Sequence, residues 1–239
     1  MDLFANAALL ALLAVPFLAL ALWRSPGRRW APAALFLGLL AVDDLLTSLP
    51  QAVGALDVVP GAWNWEGKAL SLAGALAFVA LGPLSPDEAG LTLRQRAGAV
   101  RPALLATLAL TAASFGLGLL FGGDPPDAET VAFQLTAPGL AEEVAYRGVF
   151  IGLLDRALPS VDGARRWWPV VVTAVAFGIW HGLGVREGAV SFDAFSASFP
   201  LIGGLAYGWL RERTGSVAFP VVAHGLGNTA ALVGAALAG

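Results

Sequence analysis

Long apolar stretches alternate with short polar segments along the whole chain. The first stretch, Leu3–Trp23, has about the twenty residues that a helix needs to cross a bilayer. Asp2 stands where a signal peptide would carry basic residues, so we predict a retained span rather than a cleaved one. We predict seven further helices over residues 33–49, 69–84, 103–121, 131–154, 169–183, 195–210 and 217–237. The pattern predicts an all-α fold, a polytopic transmembrane helical bundle of about eight spans.

Composition supports this class. Hydrophobic residues make up 57% of the 239 residues and charged residues only 13%, whereas soluble domains average about 25% charged residues. The length favours a single transmembrane domain over 1–239, with a motif-bearing core at about 129–239. The chain has no cysteine, which excludes disulfides and cysteine-ligated metals. It also has no basic run of the kind that binds nucleic acid, so no nucleic-acid partner is expected.

Arginines fall in alternate loops. These loops contain Arg24, Arg28 and Arg29, then Arg94, Arg96 and Arg101, then Arg156, Arg165 and Arg166, and finally Arg211 and Arg213. Because basic loops stay in the cytoplasm, eight spans place both termini on the extracytoplasmic side. The alanine-, glycine- and arginine-rich composition is typical of bacteria, so we expect a multi-pass protein of the inner membrane. The longest inner loop, 85–100, fits either a surface helix or a hinge.

Three charged residues interrupt the fifth apolar stretch: Glu142, Glu143 and Arg147. A charge at membrane depth costs a few kcal/mol, about 2.5–3.5 on insertion scales, and such residues usually face the interior of a bundle. Glu143 and Arg147 are four residues apart on one helix face, which predicts a buried ion pair. Glu142 is turned by about 100° from Glu143. We expect this pairing to leave Glu142 free to face a cavity, although a purely structural network fits the same pattern.

The only two histidines, His181 and His224, also lie in predicted spans. Each has a partner four residues away, Phe177 before His181 and Asn228 after His224. Glu142, both histidines and Asn228 lie about 16–22 Å from the arginines of the basic loops, measured along unbroken helices, which places all four in one layer near the middle of the membrane. A single histidine of this kind is also compatible with packing or interhelical hydrogen bonding. Together they predict one site between the last four spans.

This set of groups suits hydrolysis of a peptide bond, which needs an activated water and a stabilised oxyanion. Glu142 would act as the base, and His181 would hold the water or the carboxylate. His224 and Asn228 would donate hydrogen bonds to the oxyanion. A zinc site is the alternative, with Glu142, His181 and His224 as ligands and water as the fourth. The chain lacks HExxH, the spacing that would favour zinc more strongly.

The ordered motifs Glu-Glu-x-x-x-Arg, Phe-x-x-x-His and His-x-x-x-Asn resemble those of the CPBP family, the CAAX-protease and bacteriocin-processing group of intramembrane endopeptidases. Asn64-Trp65-x-Gly67-Lys68 and the segment 134–148 also resemble bacterial members. The resemblance implies a metal-free mechanism in which Glu142 and His181 activate water, so no cofactor is expected.

The resemblance also implies that His224 and Asn228 form the oxyanion site. It gives Glu143, Arg147 and Phe177 a supporting role. The implied partners are the lipid bilayer and a membrane-associated, lipid-modified or hydrophobic-tailed protein or peptide substrate. It does not specify an oligomeric state.

Two further acidic residues, Asp43 and Asp44, lie in the second span. We consider a pairing with Lys68 at the start of the third span and, alternatively, contact with substrate. Two non-proteolytic functions are also compatible with buried carboxylates and histidines: a peptide-binding immunity or scaffold protein, and a transporter. Transporters often contain inverted repeats, and the sequence shows no repeat.

Overall fold

Helices account for nearly all of the regular structure. A computed structural model describes residues 2–25, 27–159 and 167–239. The helices are α1 (Leu3–Trp23), α2 (Trp30–Ala52), α3 (Trp65–Leu81), α4 (Val100–Phe121), α5 (Ala128–Glu142), α6 (Ile151–Ala157), α7 (Trp168–Gly182), α8 (Ala194–Thr214) and α9 (Ala218–Ala238). A short 3₁₀ turn, Gly54–Leu56, follows α2, and a π-helical segment, Glu143–Phe150, joins α5 directly to α6.

Every predicted apolar stretch contains a helix, and the all-α transmembrane bundle is confirmed. Within the described residues, α1, α2, α4 and α9 are long and apolar enough to cross a membrane, whereas α7 is apolar but has only 15 residues. The prediction of eight spans is therefore confirmed in part. The single-domain interpretation and the orientation stay predictions. Arg165 and Arg166, which were assigned to a basic loop, lie outside the described residues.

One element departs from the all-α prediction. Strands β1 (Leu183–Arg186) and β2 (Ala189–Phe192) form an antiparallel hairpin directly after α7, in a segment predicted as a loop. The backbone amide of Asp2 donates to the carbonyl of Val185 (3.1 Å), and the Asp2 carboxylate accepts from the amide of Gly188 (2.8 Å). The hairpin is thereby attached to the start of α1. A two-stranded hairpin depends on such packing for its stability.

The Asn-Trp-x-Gly-Lys segment begins α3. The side chain of Asn64 accepts a hydrogen bond from the amide of Gly67 (3.0 Å), which satisfies one of the unpaired donors of the first turn. The same side chain donates to the carbonyl of Thr47 on α2 (2.7 Å). This cap fixes the start of α3 against α2 and so sets the position of Lys68 one turn further along.

Glycines allow α9 to approach its neighbours closely. A Cβ at Gly225 would collide with the carbonyl of Leu135 on α5, and one at Gly234 would collide with the carbonyl of Phe115 on α4. Small residues at such contacts let helix backbones meet inside a membrane. Helix α9 is therefore held against both α4 and α5, and the second contact positions its histidine beside the charged end of α5.

The segment between α3 and α4 consists of turns rather than the surface helix that was considered for it. Glu88 accepts two hydrogen bonds from Arg156 at the end of α6 (2.7 and 2.8 Å), and the carbonyl of Glu88 accepts one from Arg211 on α8 (2.8 Å). The carbonyl of Gly90 accepts from the amide of Val217 (3.0 Å). These bonds tie three helix ends together.

Candidate active site

Glu142, the last residue of α5, is buried and ion-paired. One oxygen, Oε1, lies 2.6 Å from the ammonium nitrogen of Lys68 on α3, and both side chains are at most 10% exposed. As predicted, Glu142 takes no part in the Glu143–Arg147 ion pair, but it has an ion pair of its own with Lys68, which was not predicted. A buried carboxylate without a counter-ion would cost several kcal/mol, roughly the desolvation penalty of an ion, so the fold supplies a cation from another helix.

The second oxygen of Glu142 is placed differently. No described residue donates a hydrogen bond to Oε2, although this atom is buried. Nε2 of His224 lies 3.8 Å from Oε2, which is too long for a direct hydrogen bond. Oε2 is thus the oxygen of Glu142 that is available to accept a proton from a small molecule such as water.

The predicted ion pair between Glu143 and Arg147 is confirmed, at 3.2 Å between Oε1 and the guanidinium. Both side chains are completely buried in the π-helical segment. The same oxygen lies 2.8 Å from Nδ1 of His224. An ionised carboxylate only accepts hydrogen bonds, so Nδ1 carries a hydrogen and Nε2 is directed toward Glu142. Glu143 therefore orients the histidine ring.

The ring of Phe177 packs against both Arg147 and His181. Its ring lies 4.4 Å beneath the guanidinium of Arg147, which is a cation–π contact, and its edge meets the His181 ring at 4.5 Å between centroids. Tyr207 stacks on the other side of the site, 5.2 Å from the His224 ring. Tyr207 was not predicted. An aromatic residue in an apolar span gives no sequence signal that separates it from ordinary core.

His181 lies in the last turn of α7, and its predicted depth in the membrane stays a prediction. The helix ends at Gly182 because the hairpin follows at once. Nδ1 is 2.9 Å from the carbonyl of Phe177, an acceptor, so Nδ1 carries the hydrogen and Nε2 is left as an acceptor. His181 is close enough to Glu142 and His224 for electrostatic interaction with both. The histidine therefore borders the site from its open side.

Asn228 is half-buried one turn beyond His224 on α9. Its amide nitrogen donates to the side-chain oxygen of Gln134 on α5 (2.8 Å). Gln134 was not predicted as a site residue. It is a polar residue inside an apolar stretch, eight residues before Glu142, and this i, i+8 spacing keeps both positions within the stripe, about 100° wide, that faces a helix's neighbours. That spacing was the signal that could have identified it.

Asp43 and Asp44 do not pair with Lys68, contrary to the pairing considered from sequence. Asp43 accepts a hydrogen bond from Ser71 on α3 (2.5 Å). Asp44 accepts from Asn6 on α1 (3.1 and 3.2 Å) and from the indole of Trp180 on α7 (2.7 Å). The side chain of Lys68 is directed toward the end of α5 and pairs with Glu142 instead.

The zinc alternative would require Glu142, His181 and His224 to converge on one ion. No group of three or more His, Cys, Asp or Glu side chains among the described residues is arranged in this way. In the described residues, the three side chains are therefore not arranged as a zinc site.

Comparison with known families agrees with the motifs. The family model described as type II CAAX prenyl endopeptidase Rce1-like matches residues 126–230. Residues 126–230 are therefore similar to that family and are called the Rce1-like domain. The resemblance to the CPBP family of CAAX proteases is thereby confirmed over somewhat less than half of the chain. No curated protein and no solved structure matches.

The Rce1-like domain contains most, but not all, of the groups around Glu142. All the catalytic and supporting residues predicted from sequence lie inside it, as does Gln134. Lys68 lies well before it, on a helix that the family model does not cover. The family is a protease family, and the apolar helices agree with a membrane protein.

Proposed function

We propose that this chain is an intramembrane endopeptidase in which Glu142 activates the attacking water. The observation that carries the proposal is the buried Glu142 carboxylate within the Rce1-like domain, with Oε2 unpartnered among the described residues and His224 Nε2 3.8 Å away. A general base must lie within hydrogen-bond reach of the proton that it removes, and a water bound at Oε2 meets this requirement.

In the proposed reaction, Oε2 removes one proton from water and the remaining hydroxide attacks the carbonyl carbon of the scissile peptide bond. Nε2 of His181, an acceptor in the tautomer assigned above, would accept the second hydrogen of the water and so orient it. As the tetrahedral intermediate collapses, the carbon–nitrogen bond breaks and Glu142 gives its proton to the leaving amine. The carboxylate returns to its starting state.

The developing oxyanion would be stabilised by donors on α9. Asn228 has two amide hydrogens, and only one is used in the bond to Gln134. His224 donates from Nε2 when that nitrogen carries a hydrogen, and the Glu143 carboxylate holds the ring in place through Nδ1. Removing one such donor costs about 100- to 1,000-fold in turnover in enzymes that use an oxyanion site. Arg147 and Phe177 hold Glu143 and the His181 edge in place.

The substrate class follows from access to the site. A site inside a helical bundle is reached by a segment that already lies in or on the bilayer. We therefore propose a membrane-associated protein or peptide, either lipid-modified or with a hydrophobic tail. The alternative is a peptide-binding immunity or scaffold protein that uses the same groups without cleavage.

The deciding experiment is a terminus-resolved proteomic comparison of host cells that make the wild-type protein or Glu142→Ala at equal membrane abundance. The control is Glu187→Gln, which changes an exposed carboxylate in the turn of the hairpin. We expect new protein ends in the wild-type and control cells that are missing with Glu142→Ala. Identical ends in all three would count against proteolysis and favour the binding alternative.

Metal dependence is tested separately on the purified protein. We expect Glu142-dependent cleavage to survive a strong chelator, because the proposed chemistry uses only side chains and water. Tightly bound stoichiometric zinc, together with loss and recovery of cleavage when zinc is removed and restored, would establish the zinc-dependent version instead.

A further inference from the structure

Lys68 is a buried cation that the Rce1-like domain does not itself contain. Its side chain is 10% exposed, and its ammonium lies 2.6 Å from Oε1 of Glu142. The helix that carries it, α3, precedes the matched residues 126–230 by many positions. The amino-terminal part of the chain therefore contributes a charged group directly to the carboxylate at the centre of the site.

Other groups fix the lysine where it lies. The ammonium is 4.6 Å from the ring centre of Trp180, which is a cation–π contact. Trp180 is itself held by the hydrogen bond from its indole to Asp44, and Asp44 by Asn6. At the start of α3, Asn64 caps the helix and binds α2. Side chains from three other helices, α1, α2 and α7, and the cap of α3 thus hold the surroundings of Lys68 in place.

We propose that Lys68 is a positioning residue that holds Oε1 of Glu142 and thereby leaves Oε2 as the oxygen that removes the proton from water. The proposal rests on the function proposed above. A carboxylate attached at neither oxygen would rotate and present both. The 2.6 Å contact with Lys68 fixes one oxygen and directs the other toward His224.

The proton balance of the reaction is unchanged by this role. The oxygen–hydrogen bond of water breaks, the proton moves to Oε2, and Lys68 keeps all of its hydrogens throughout. The lysine stabilises the negative charge of Glu142 before and after the transfer, because the two groups are within hydrogen-bond distance in a buried site. Its contribution is geometric and electrostatic, and it does not touch the scissile bond.

The test uses the full-length protein in proteoliposomes and, as the probe, a synthetic segment spanning a Glu142-dependent end found in the proteomic comparison. Three variants are compared: Lys68→Met removes the charge at similar volume, Lys68→Arg keeps a cation, and Ser71→Ala is the matched control. Ser71 is buried one turn further along α3 and bonds Asp43 rather than Glu142. Folding is checked by thermal unfolding in detergent.

We expect Lys68→Met to lower kcat by about 100-fold with little change in KM, since a displacement of about 1 Å in a catalytic group has an effect of this order. Lys68→Arg should recover much of the lost rate, and Ser71→Ala should stay near wild type. If Lys68→Met does not fold, Lys68→Arg and Lys68→Gln replace it, and the prediction is that only the arginine variant retains turnover.

The outcomes separate this proposal from the proposed function. Glu142-dependent cleavage that Lys68→Met leaves within about twofold of wild type would overturn the role of Lys68 alone. The same conclusion follows if folded Lys68→Arg is no better than folded Lys68→Met. If no Glu142-dependent end exists at all, the proteolytic function fails, and the role assigned to Lys68 fails with it.

Discussion

At the scale of single residues, the site is a set of charges that are tolerated only because each has a partner. Glu143 and Arg147 are completely buried, and Glu143 also binds the ring of His224. Space for the arginine comes from Gly204 on α8, where a Cβ would lie 2.9 Å from the guanidinium. The Glu143–Arg147 pair orients the ring of His224, and the stability of the core depends on the presence of both residues.

Removing one charge of the Glu143–Arg147 ion pair should lower the stability of the fold more than removing both charges. We expect Arg147→Met to lower the free energy of unfolding by about 3–5 kcal/mol, because among the described residues it leaves the buried Glu143 carboxylate with His224 as its one ionic or hydrogen-bonding partner. The double variant Glu143→Gln/Arg147→Met should recover most of that loss. Denaturant unfolding in detergent measures both, with the exposed Arg213→Met as control. Equal stability of Arg147→Met and wild type would contradict this account.

At the scale of elements, two local features bring the charged groups together. The π-helical segment places all eight of its residues in the interior, including Glu143 and Arg147. Such segments are rare and occur frequently at functional sites. The second feature is the close contact of α9 with α5, which depends on Gly225 next to His224. Together they determine the distance between the histidine and both glutamates.

Widening the contact between α5 and α9 should therefore weaken the site. We expect Gly225→Ala to lower both the thermal unfolding midpoint and Glu142-dependent cleavage, because the added Cβ collides with the carbonyl of Leu135 and backbone cannot move aside easily. Gly116→Ala on α4 is the matched control, since nothing lies within 4 Å of its Cβ position. Alanine favours helix by about 1 kcal/mol over glycine, so the control should not lose stability.

If Gly225→Ala and Gly116→Ala behave alike in both assays, the close approach of the two helices is not what positions His224. A loss of cleavage without any loss of stability would still agree with the geometric role, since a small shift of the ring is enough to disturb the site.

The turns between α3 and α4, outside the membrane-spanning helices, contain an ionisable residue, Glu88, whose charge state affects stability. The bonds from Arg156, together with those from Ser85, lower the pKa of Glu88 from 4.5 to about 2. A lowered pKa stabilises the fold above the pKa of the unfolded chain and loses this contribution as the pH falls toward the folded value. The effect is small, on the order of 1 kcal/mol or less, because both side chains are partly exposed.

The resulting prediction concerns Glu88→Gln. We expect its unfolding midpoint to lie slightly below that of wild type above about pH 5, and the difference to vanish as the pH approaches 2. Thermal unfolding in detergent across this range measures it. Arg156→Gln should show the same pattern, and the double variant should add nothing further. A difference between the unfolding midpoints of wild type and Glu88→Gln that grows as the pH falls would contradict the prediction.

At the scale of the whole molecule, the alternation of basic loops predicts that both termini lie outside the cytoplasm. The absence of cysteine makes this easy to test. Single cysteines are introduced at Ala55, before α3, and at Ala97, before α4, both exposed positions. In intact spheroplasts, a membrane-impermeant maleimide should label Ala55→Cys but label Ala97→Cys only after the membrane is opened. The opposite result would reverse the predicted topology.

The sequence by itself determined the helical class, the approximate extent of each helix and the ion pair of Glu143 and Arg147. These features depend on local composition and on spacing along one helix, which a linear pattern records. The three motifs also pointed to the family whose model matches residues 126–230. Periodicity did not reveal the π-helical segment, because a change of hydrogen-bond register leaves the apolar pattern almost unaltered.

The tertiary structure alone decided which charges meet across helices. Sequence offered Asp43 or Asp44 as partners for Lys68, and the fold pairs it with Glu142, 74 residues away. The fold likewise pairs Asn228 with Gln134 and Asp44 with Trp180. The physical reason is that a buried charge binds whichever opposite charge the packing of the backbones brings within reach. That packing depends on contacts such as Gly225 against Leu135, between residues far apart in the chain.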